Sequence, residues 1–369
     1  MRFFLMGYGS IAKTLMSIIQ DLGEEYDITI CDVKDGGIKG QEIIEKDHDK
    51  FDAVINLTDE YVLPIIELCD KYNLKYLDAG YEDENSVFVK NFLKYSTTDD
   101  KNVHLFGFGM NPGIVEFMPF LVESEKDYVS CVFETDLPIP TEEDKDKLYA
   151  TWCPTTYYDE SVVLEAFVST ENEVCRYISR DDRYHIPLDT KDGSYEYFVI
   201  PHEEVFNIQT RDSKCKASAF IFHAPQVFQD FVLAYDGDNG MEVVANIPVN
   251  NNITGTESVG ILMYDGSENV KYIVNCSDHG ACCQRYKHNA TCYQTACGVY
   301  IGMQLLSMVP DGSTWTFTKA SQYYFDEIKA MLDKLDFKID IIDHYLPKEQ
   351  FEERILPLFG DDIVKCFKK

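Results

Sequence analysis

No stretch of the 369 residues runs to about eighteen consecutive apolar side chains, which excludes a helix spanning a membrane. Basic residues are scarce: 33 lysines and arginines stand against 64 aspartates and glutamates, a net charge of −31. A chain this acidic offers no basic stripe to a nucleic-acid backbone, and its field draws in cations. Tryptophan occurs only twice. Twelve cysteines are present without a short disulfide framework, and Cys282 and Cys283 are adjacent. Cys276, His279, Cys282, Cys283, His288, Cys292 and Cys297 lie close in sequence. They show neither C-x-x-C nor H-x-x-x-H spacing, so buried thiols are expected there and no metal. The first strand-like run begins at the third residue, leaving no room for a leader. The expectation is a cytosolic protein with reduced thiols. There is no internal repeat or low-complexity segment.

What is present starts with Arg2-Phe3-Phe4-Leu5-Met6-Gly7-Tyr8-Gly9-Ser10-Ile11-Ala12. An apolar strand turns through two glycines into an amphipathic run, the G-x-G-x-x-A form of a dinucleotide fingerprint. Gly7 permits the tight turn, Gly9 lets backbone approach a pyrophosphate, and Ala12 allows close helix packing. The helix start beyond Gly9, with Ser10 and Ile11, adds N–H groups for the phosphates. A second strand, Asp27 to Cys31, ends at Asp32, twenty residues after Ala12, where a ribose-binding acid belongs. A carboxylate there favours NAD over NADP, with Lys34 slightly weakening the preference.

Two domains are expected from the length. Ala53 to Leu57, Lys75 to Asp78 and His104 to Phe108 read as further parallel strands, with a helix from Val62 to Tyr72. This predicts an α/β class: an N-terminal Rossmann doubly wound parallel sheet over 1–126, completed by a small-residue helix near 289–307. Strand ends then gather Gly7 to Ser10, Asp32, Thr58, Glu82 and Asn111 at one crevice. Asn111-Pro112 closes a glycine-proline turn, and the Asn111 amide either only shapes that turn or serves chemistry. From about Asp127 the texture becomes β-rich, at Tyr128–Phe133, Tyr195–Ile200, Ala217–His223, Phe231–Tyr235 and Gly260–Met263. That predicts a substrate-binding α+β domain over 127–288 with a mainly antiparallel sheet. A C-terminal helical segment, 308–369, contains one amphipathic helix from Ser321 to Phe337.

Several blocks cover most of the length: Gly7-Tyr8-Gly9-Ser10-Ile11, Asn56-Leu57-Thr58, Tyr76-Leu77-Asp78 with Glu82, and Gly109-Met110-Asn111-Pro112-Gly113. Thr151-Trp152, His202-Glu203-Glu204, Asn289-Ala290-Thr291 and Gln294 to Val299 complete them. In these blocks the sequence resembles the homospermidine synthase family of the saccharopine-dehydrogenase-like group. The chain is shorter than typical members, has Ala150 where asparagine is usual, and matches poorly from Tyr158 to Arg183. The resemblance implies that putrescine gives a hydride to NAD, loses ammonia to a second amine and recovers the hydride as homospermidine. A homodimer is implied likewise, and spermidine is a further possible donor.

Such chemistry needs acids to pair buried ammonium groups and a group to deprotonate the amine. Glu82 and Glu134 are the candidate substrate carboxylates, Glu134 having a surface strand acid as its plain reading; Glu257 matches more loosely. Trp152 sits in a loop before Pro154, where its ring is either a core anchor or a cation–π wall worth ~2 kcal/mol when desolvated. His202 and His223 are proton relays or satisfied structural histidines. Two other readings stand. A saccharopine- or carboxynorspermidine-type enzyme would need a carboxylate clamp, for which Arg176, Arg180 and Arg183 are nearest. A non-catalytic relative would only bind NAD or polyamine.

Overall fold

The structure is a computed structural model that describes residues 1–32, 40–58, 62–80, 102–122, 124–173, 175–211, 213–235 and 239–368, with backbone only at 62, 180 and 181. Glu82 and Lys34 lie outside the described residues. The chain divides into two units, Met1–Phe117 with Cys292–Phe337, and Met118–Thr291 with Lys338–Lys369. No described helix is long and apolar enough to cross a membrane.

The first unit is Rossmann-like. Strands β1 (Arg2–Met6), β2 (Asp27–Cys31), β3 (Ala53–Asn56), β4 (Lys75–Asp78) and β5 (His104–Phe106) form one sheet. A sixth, β14 (Thr314–Thr316, numbered along the chain), joins beyond β5. The order is β14-β5-β4-β3-β1-β2, and every pairing is parallel. Helices α1 (Ser10–Asp21), α2 (Gly40–Asp47) and α3 (Val62–Tyr72) make the early crossovers. The apolar runs of β1 and β3 are buried almost throughout, as strands covered on both faces must be. The chain leaves β1 for β2 on one side and returns to β3 on the other. That reversal puts a crevice beyond the carboxyl end of β1.

In the second unit the sheet runs β15-β13-β12-β6-β11-β10-β9. Its strands are β6 (Tyr128–Pro140), β7 (Phe167–Thr170), β8 (Arg176–Tyr177), β9 (Ile186–Thr190), β10 (Gly193–Val199), β11 (Cys215–His223), β12 (Ile253–Tyr264), β13 (Lys271–Asp278) and β15 (Asp340–Asp343). β7 adds to β11, and β8 to β7. Only β6 and β11 pair in parallel; the rest is antiparallel. Alternation along the strands gives the sheet two different faces. Val129, Cys131, Phe133, Ala219, Ile221, Leu262 and Tyr272 point one way, into a core closed by Tyr345, Phe351, Ile355, Phe359 and Phe367. Glu134, Asp136, Phe220, Phe222 and Glu257 occupy the other face.

Three expectations change. Phe231 to Tyr235 falls in and just beyond the helix Gln226–Ala234, which buries Phe228, Gln229 and Val232 at helical spacing. A short apolar run cannot by itself separate the two periods. The helix expected over Ser321–Phe337 is two, Phe317–Tyr323 and Phe325–Lys334, broken at Tyr324. The Thr316 hydroxyl caps the first by accepting from Lys319 N. Finally, 308–369 is no separate segment. Thr314–Thr316 completes the first sheet, and Asp340–Asp343 edges the second by pairing with Lys271–Val274. The opening segment of the first unit runs to Phe117.

Candidate functional site

At the crevice of the first unit, Gly7 holds φ +85°, and its amide donates to Cys31 O at 2.9 Å. A Cβ on Gly7 would overlap the Leu57 carbonyl and crowd Thr58, so the turn seats directly on the end of β3. Gly9 is different. A Cβ there meets nothing within 4 Å, so the backbone presents open space at the start of α1. Ser10 opens the helix with a hydroxyl that bonds no described residue, Ile11 follows half-buried, and the first turn carries no acid. Ala12 is buried against the sheet. Asn56 Oδ1 accepts from Thr58 N at 3.2 Å and from Thr58 Oγ1 at 2.7 Å, which fixes the Thr58 turn beside Gly7. Asp32 follows directly on β2.

The Asn111-Pro112 turn belongs to the same rim. Asp78 Oδ1 accepts from Gly107 N at 2.7 Å, and Gly109 N donates to Pro112 O at 2.9 Å. The peptide between Asn111 and Pro112 is cis. The helix Ala290–Leu305, within this unit from Cys292 on, packs onto that turn through Gly298, where a Cβ would overlap Gly109 O. One turn further, Gly302 lies against Leu77. An uncommitted helix start, a glycine open to approach and an acid after β2 are what a nicotinamide dinucleotide requires. The residues fit it.

In the second unit, three carboxylates share the polar face of the sheet. Glu134 and Asp136 are two apart on β6; Val259 pairs with Glu134, and Glu257 with Asp136. All three acids are buried. Asp136 Oδ1 accepts from His279 Nε2 at 3.0 Å, and its Oδ2 accepts from Thr151 Oγ1. Thr291 Oγ1 donates to Glu257 Oε2. Burial first, then the charges of Asp136 and Glu134, hold the Glu257 carboxyl well above the usual range and therefore protonated. Burial opposes charge on His279, but its bond to Asp136 raises its pKa overall. Against that rise, Ala290 N donates to Nδ1 at 3.2 Å, which requires a lone pair there; we assign the neutral ring with its proton on Nε2.

Trp152 is half-buried beside this group. Its ring stands edge-on to Phe222 (6.4 Å between centroids, 60°) and to Tyr157 (6.2 Å, 84°). Phe222 is also the register partner of Glu134. Glu134 and Trp152 therefore flank one phenylalanine. Two residues back on the same face, Phe220 meets the edge of His202 at 4.9 Å.

His202 lies in a second buried acid cluster. Nδ1 is 2.5 Å from Glu204 Oε2 and 3.6 Å from Glu203 Oε2, and Nε2 is 3.5 Å from Glu160 Oε1. Burial opposes its charge, yet Glu204 and Glu160 outweigh it and raise the ring well above the usual histidine value. His202 is thus an imidazolium held by acids, not a free base. The Asp136–Glu257–His279 and His202–Glu203–Glu204 groups each bring ligand atoms within 4.8 Å, close enough for one cation. In both, the histidine hydrogen-bonds a carboxylate instead.

His223 points to the opposite face, where Nδ1 meets Glu196 O at 2.8 Å and the ring lies by Tyr195 and Tyr197. Of the three arginines weighed as a clamp, the side chains of Arg176 and Arg183 are described. Arg183 donates Nε to Val199 O at 3.0 Å, Nη1 to Leu164 O at 2.7 Å and Nη2 to Glu160 O. Arg176 pairs in register with Val168 of the apolar core face and rests against Gly360. The Arg180 side chain is outside the described residues. All twelve cysteines are free thiols. Sequence reasoning left Asp136 and Glu160 unassigned and weighed His279 only among thiols. The acid at every second position, 134 and 136, was the available signal.

No protein-family model and no curated protein matches this sequence. Solved structures do match its fold. The homospermidine synthase of Legionella pneumophila, solved in complex with NAD, superposes with a TM-score of 0.71 at 15% identity, over 92% of this chain and 91% of that one. The apo saccharopine dehydrogenase (L-Glu forming) of Saccharomyces cerevisiae gives 0.59 at 11% identity, over 93% and 99%.

Proposed function

We propose that this chain is an NAD-dependent oxidoreductase acting on a diamine, forming homospermidine from putrescine with no net redox change. The observation that carries the reading is the polar face of the second sheet. It buries Glu134, Asp136 and Glu257, gathers Glu160, Glu203 and Glu204 around His202, and has Arg183 donating to backbone carbonyls. Such a face suits a substrate that is cationic at both ends and rejects a free carboxylate.

Gly7, Gly9, Ser10 and Ile11 would hold the pyrophosphate, Asp32 the adenosine ribose, and Thr58, Asn111 and Pro112 the rim towards the nicotinamide. Bound there, the dinucleotide supplies a hydride acceptor that can return the hydride to the same substrate. Glu134 pairs with an ammonium group while Trp152 covers it with a ring face. The Glu160–Glu203–Glu204 group balances the charge at the far end. The incoming free amine adds to the carbon of the oxidised C=N group; Glu257, protonated in its site, gives its proton to the original nitrogen, whose bond to that carbon then breaks so that it leaves as ammonia. The carboxylate so formed takes the proton left on the newly bonded nitrogen, which becomes the new C=N group. Glu82 would add a further carboxylate.

The test is turnover of putrescine with NAD, followed by absorbance and by product. Homospermidine and ammonia without NADH build-up are expected. Accumulating NADH, or a requirement for an α-amino acid, would point to the saccharopine type; bound NAD with no amine turnover would point to a binding protein.

A further inference from the structure

Beside the groups that face an amine, the second unit buries a polar chain that the reaction does not use: Asp136, Thr151, His279 and Asn289. Its bonds converge on Thr151. The side chain donates to Asp136 Oδ2, and the carbonyl accepts from Asn289 Nδ2 at 2.5 Å. Asp136 cannot turn away, because its other oxygen accepts from His279 Nε2 at 3.0 Å. Nor can the imidazole rotate, because its Nδ1 accepts from Ala290 N at 3.2 Å. Just upstream, Ala150 is laced to the 248–250 segment by Ala150 N to Pro248 O at 3.0 Å and Asn250 N to Ala150 O at 2.8 Å.

The next residue is Trp152. Its indole makes no hydrogen bond among the described residues, and its aromatic neighbours there, Tyr157 and Phe222, lie at 84° and 60° to its plane rather than stacked on it. With no hydrogen bond to orient the indole, the direction of the ring face depends on the backbone that carries it. That backbone is fixed at Thr151. We propose that Asp136 and His279 are positioning residues that act through Thr151 to aim the Trp152 ring at the substrate ammonium. The inference rests on the diamine reading above. It distinguishes these two groups from Glu134 and Glu257, which meet the amine themselves.

Thr151→Val keeps the side-chain shape and removes the hydroxyl; Thr151→Ser keeps the hydroxyl. Both are made with Trp315→Phe, so that Trp152 is the sole indole. Putrescine is titrated against fluorescence in the presence of NAD, and kcat, KM and Tm are measured. Thr151→Val should raise KM and the fluorescence-derived Kd about tenfold, the scale of one lost hydrogen bond, with kcat within about twofold of the parent. Thr151→Ser should restore both constants. Should Thr151→Val fail to fold, His279→Gln, which keeps a donor towards Asp136 but loses the Ala290 acceptor, is expected to raise KM at least threefold. A lowered Tm with KM and quenching unchanged would overturn the inference and leave a purely structural lock. A parent protein that neither responds to putrescine nor turns over any diamine would remove the diamine reading and this inference with it.

Discussion

Glu257 and Asp136 are register partners across the β6–β12 ladder, two carboxylates side by side in a buried sheet. Two like charges cannot both be carried there without a large penalty, and burial, with the charges of Asp136 and Glu134, holds the Glu257 carboxyl well above the usual carboxylate range.

Stability should therefore fall with rising pH through this group. Its folded-state pKa lies above the unfolded value, so its contribution is full below the ordinary carboxylate range and lost as pH climbs through the raised pKa. Glu257→Gln removes the penalty. Thermal melts from about pH 5 to about pH 9 should show the variant gaining on wild type as pH rises. Parallel curves would contradict the protonated assignment.

The glycines make a paired prediction. Gly298→Ala drives a methyl into the Gly109 carbonyl and should cost ~1–3 kcal/mol in denaturant unfolding. Gly9→Ala meets open space with φ −77° and ψ −162°, so its melting curve should match wild type. Its NAD affinity should nevertheless fall at least tenfold by calorimetry, because the methyl stands where phosphate approaches. Equal loss of stability in both would mean Gly9 is only a turn residue.

Asp32 follows β2, the edge strand of the first sheet. Asp32→Ala should reduce the preference for NAD over NADP about tenfold, the worth of a charge-assisted hydrogen bond to the ribose, measured as the ratio of the two dissociation constants. An unchanged ratio would remove Asp32 from nucleotide selection.

The first sheet was legible because its cues are local. The strand, glycine turn and helix of 2–21, and the acid after Cys31, sit at spacings fixed by one crossover. β14 was not legible: Thr314-Trp315-Thr316 is too short for any period, and only its place beside β5 makes it a strand. The acid face was half legible. Glu134 stood out, but Asp136 and His279, 143 positions apart, meet only through folding. His202 looked like a lone histidine until Glu160, Glu203 and Glu204 closed on it. Arg183, weighed only for a carboxylate clamp that the sequence reading disfavoured, shows that charge in sequence says nothing of whether backbone carbonyls will claim it.

Trp152 separates chemistry from packing. Half-buried and without a hydrogen bond among the described residues, it should tolerate Trp152→Ala with a small loss of Tm. Activity on putrescine should fall by more than tenfold, the value of a desolvated cation–π contact of about 2 kcal/mol. Matching losses of stability and activity would mark the ring as a core anchor.

The most direct measurement is mass spectrometry of products formed from putrescine deuterated at both carbons that bear nitrogen, mixed with unlabelled putrescine and NAD. The account predicts homospermidine that retains the migrating deuterium on the carbon of the new C–N bond, together with released ammonia and no deuterated NADH left in solution. Deuterium accumulating in NADH, or no amine product at all, would contradict it.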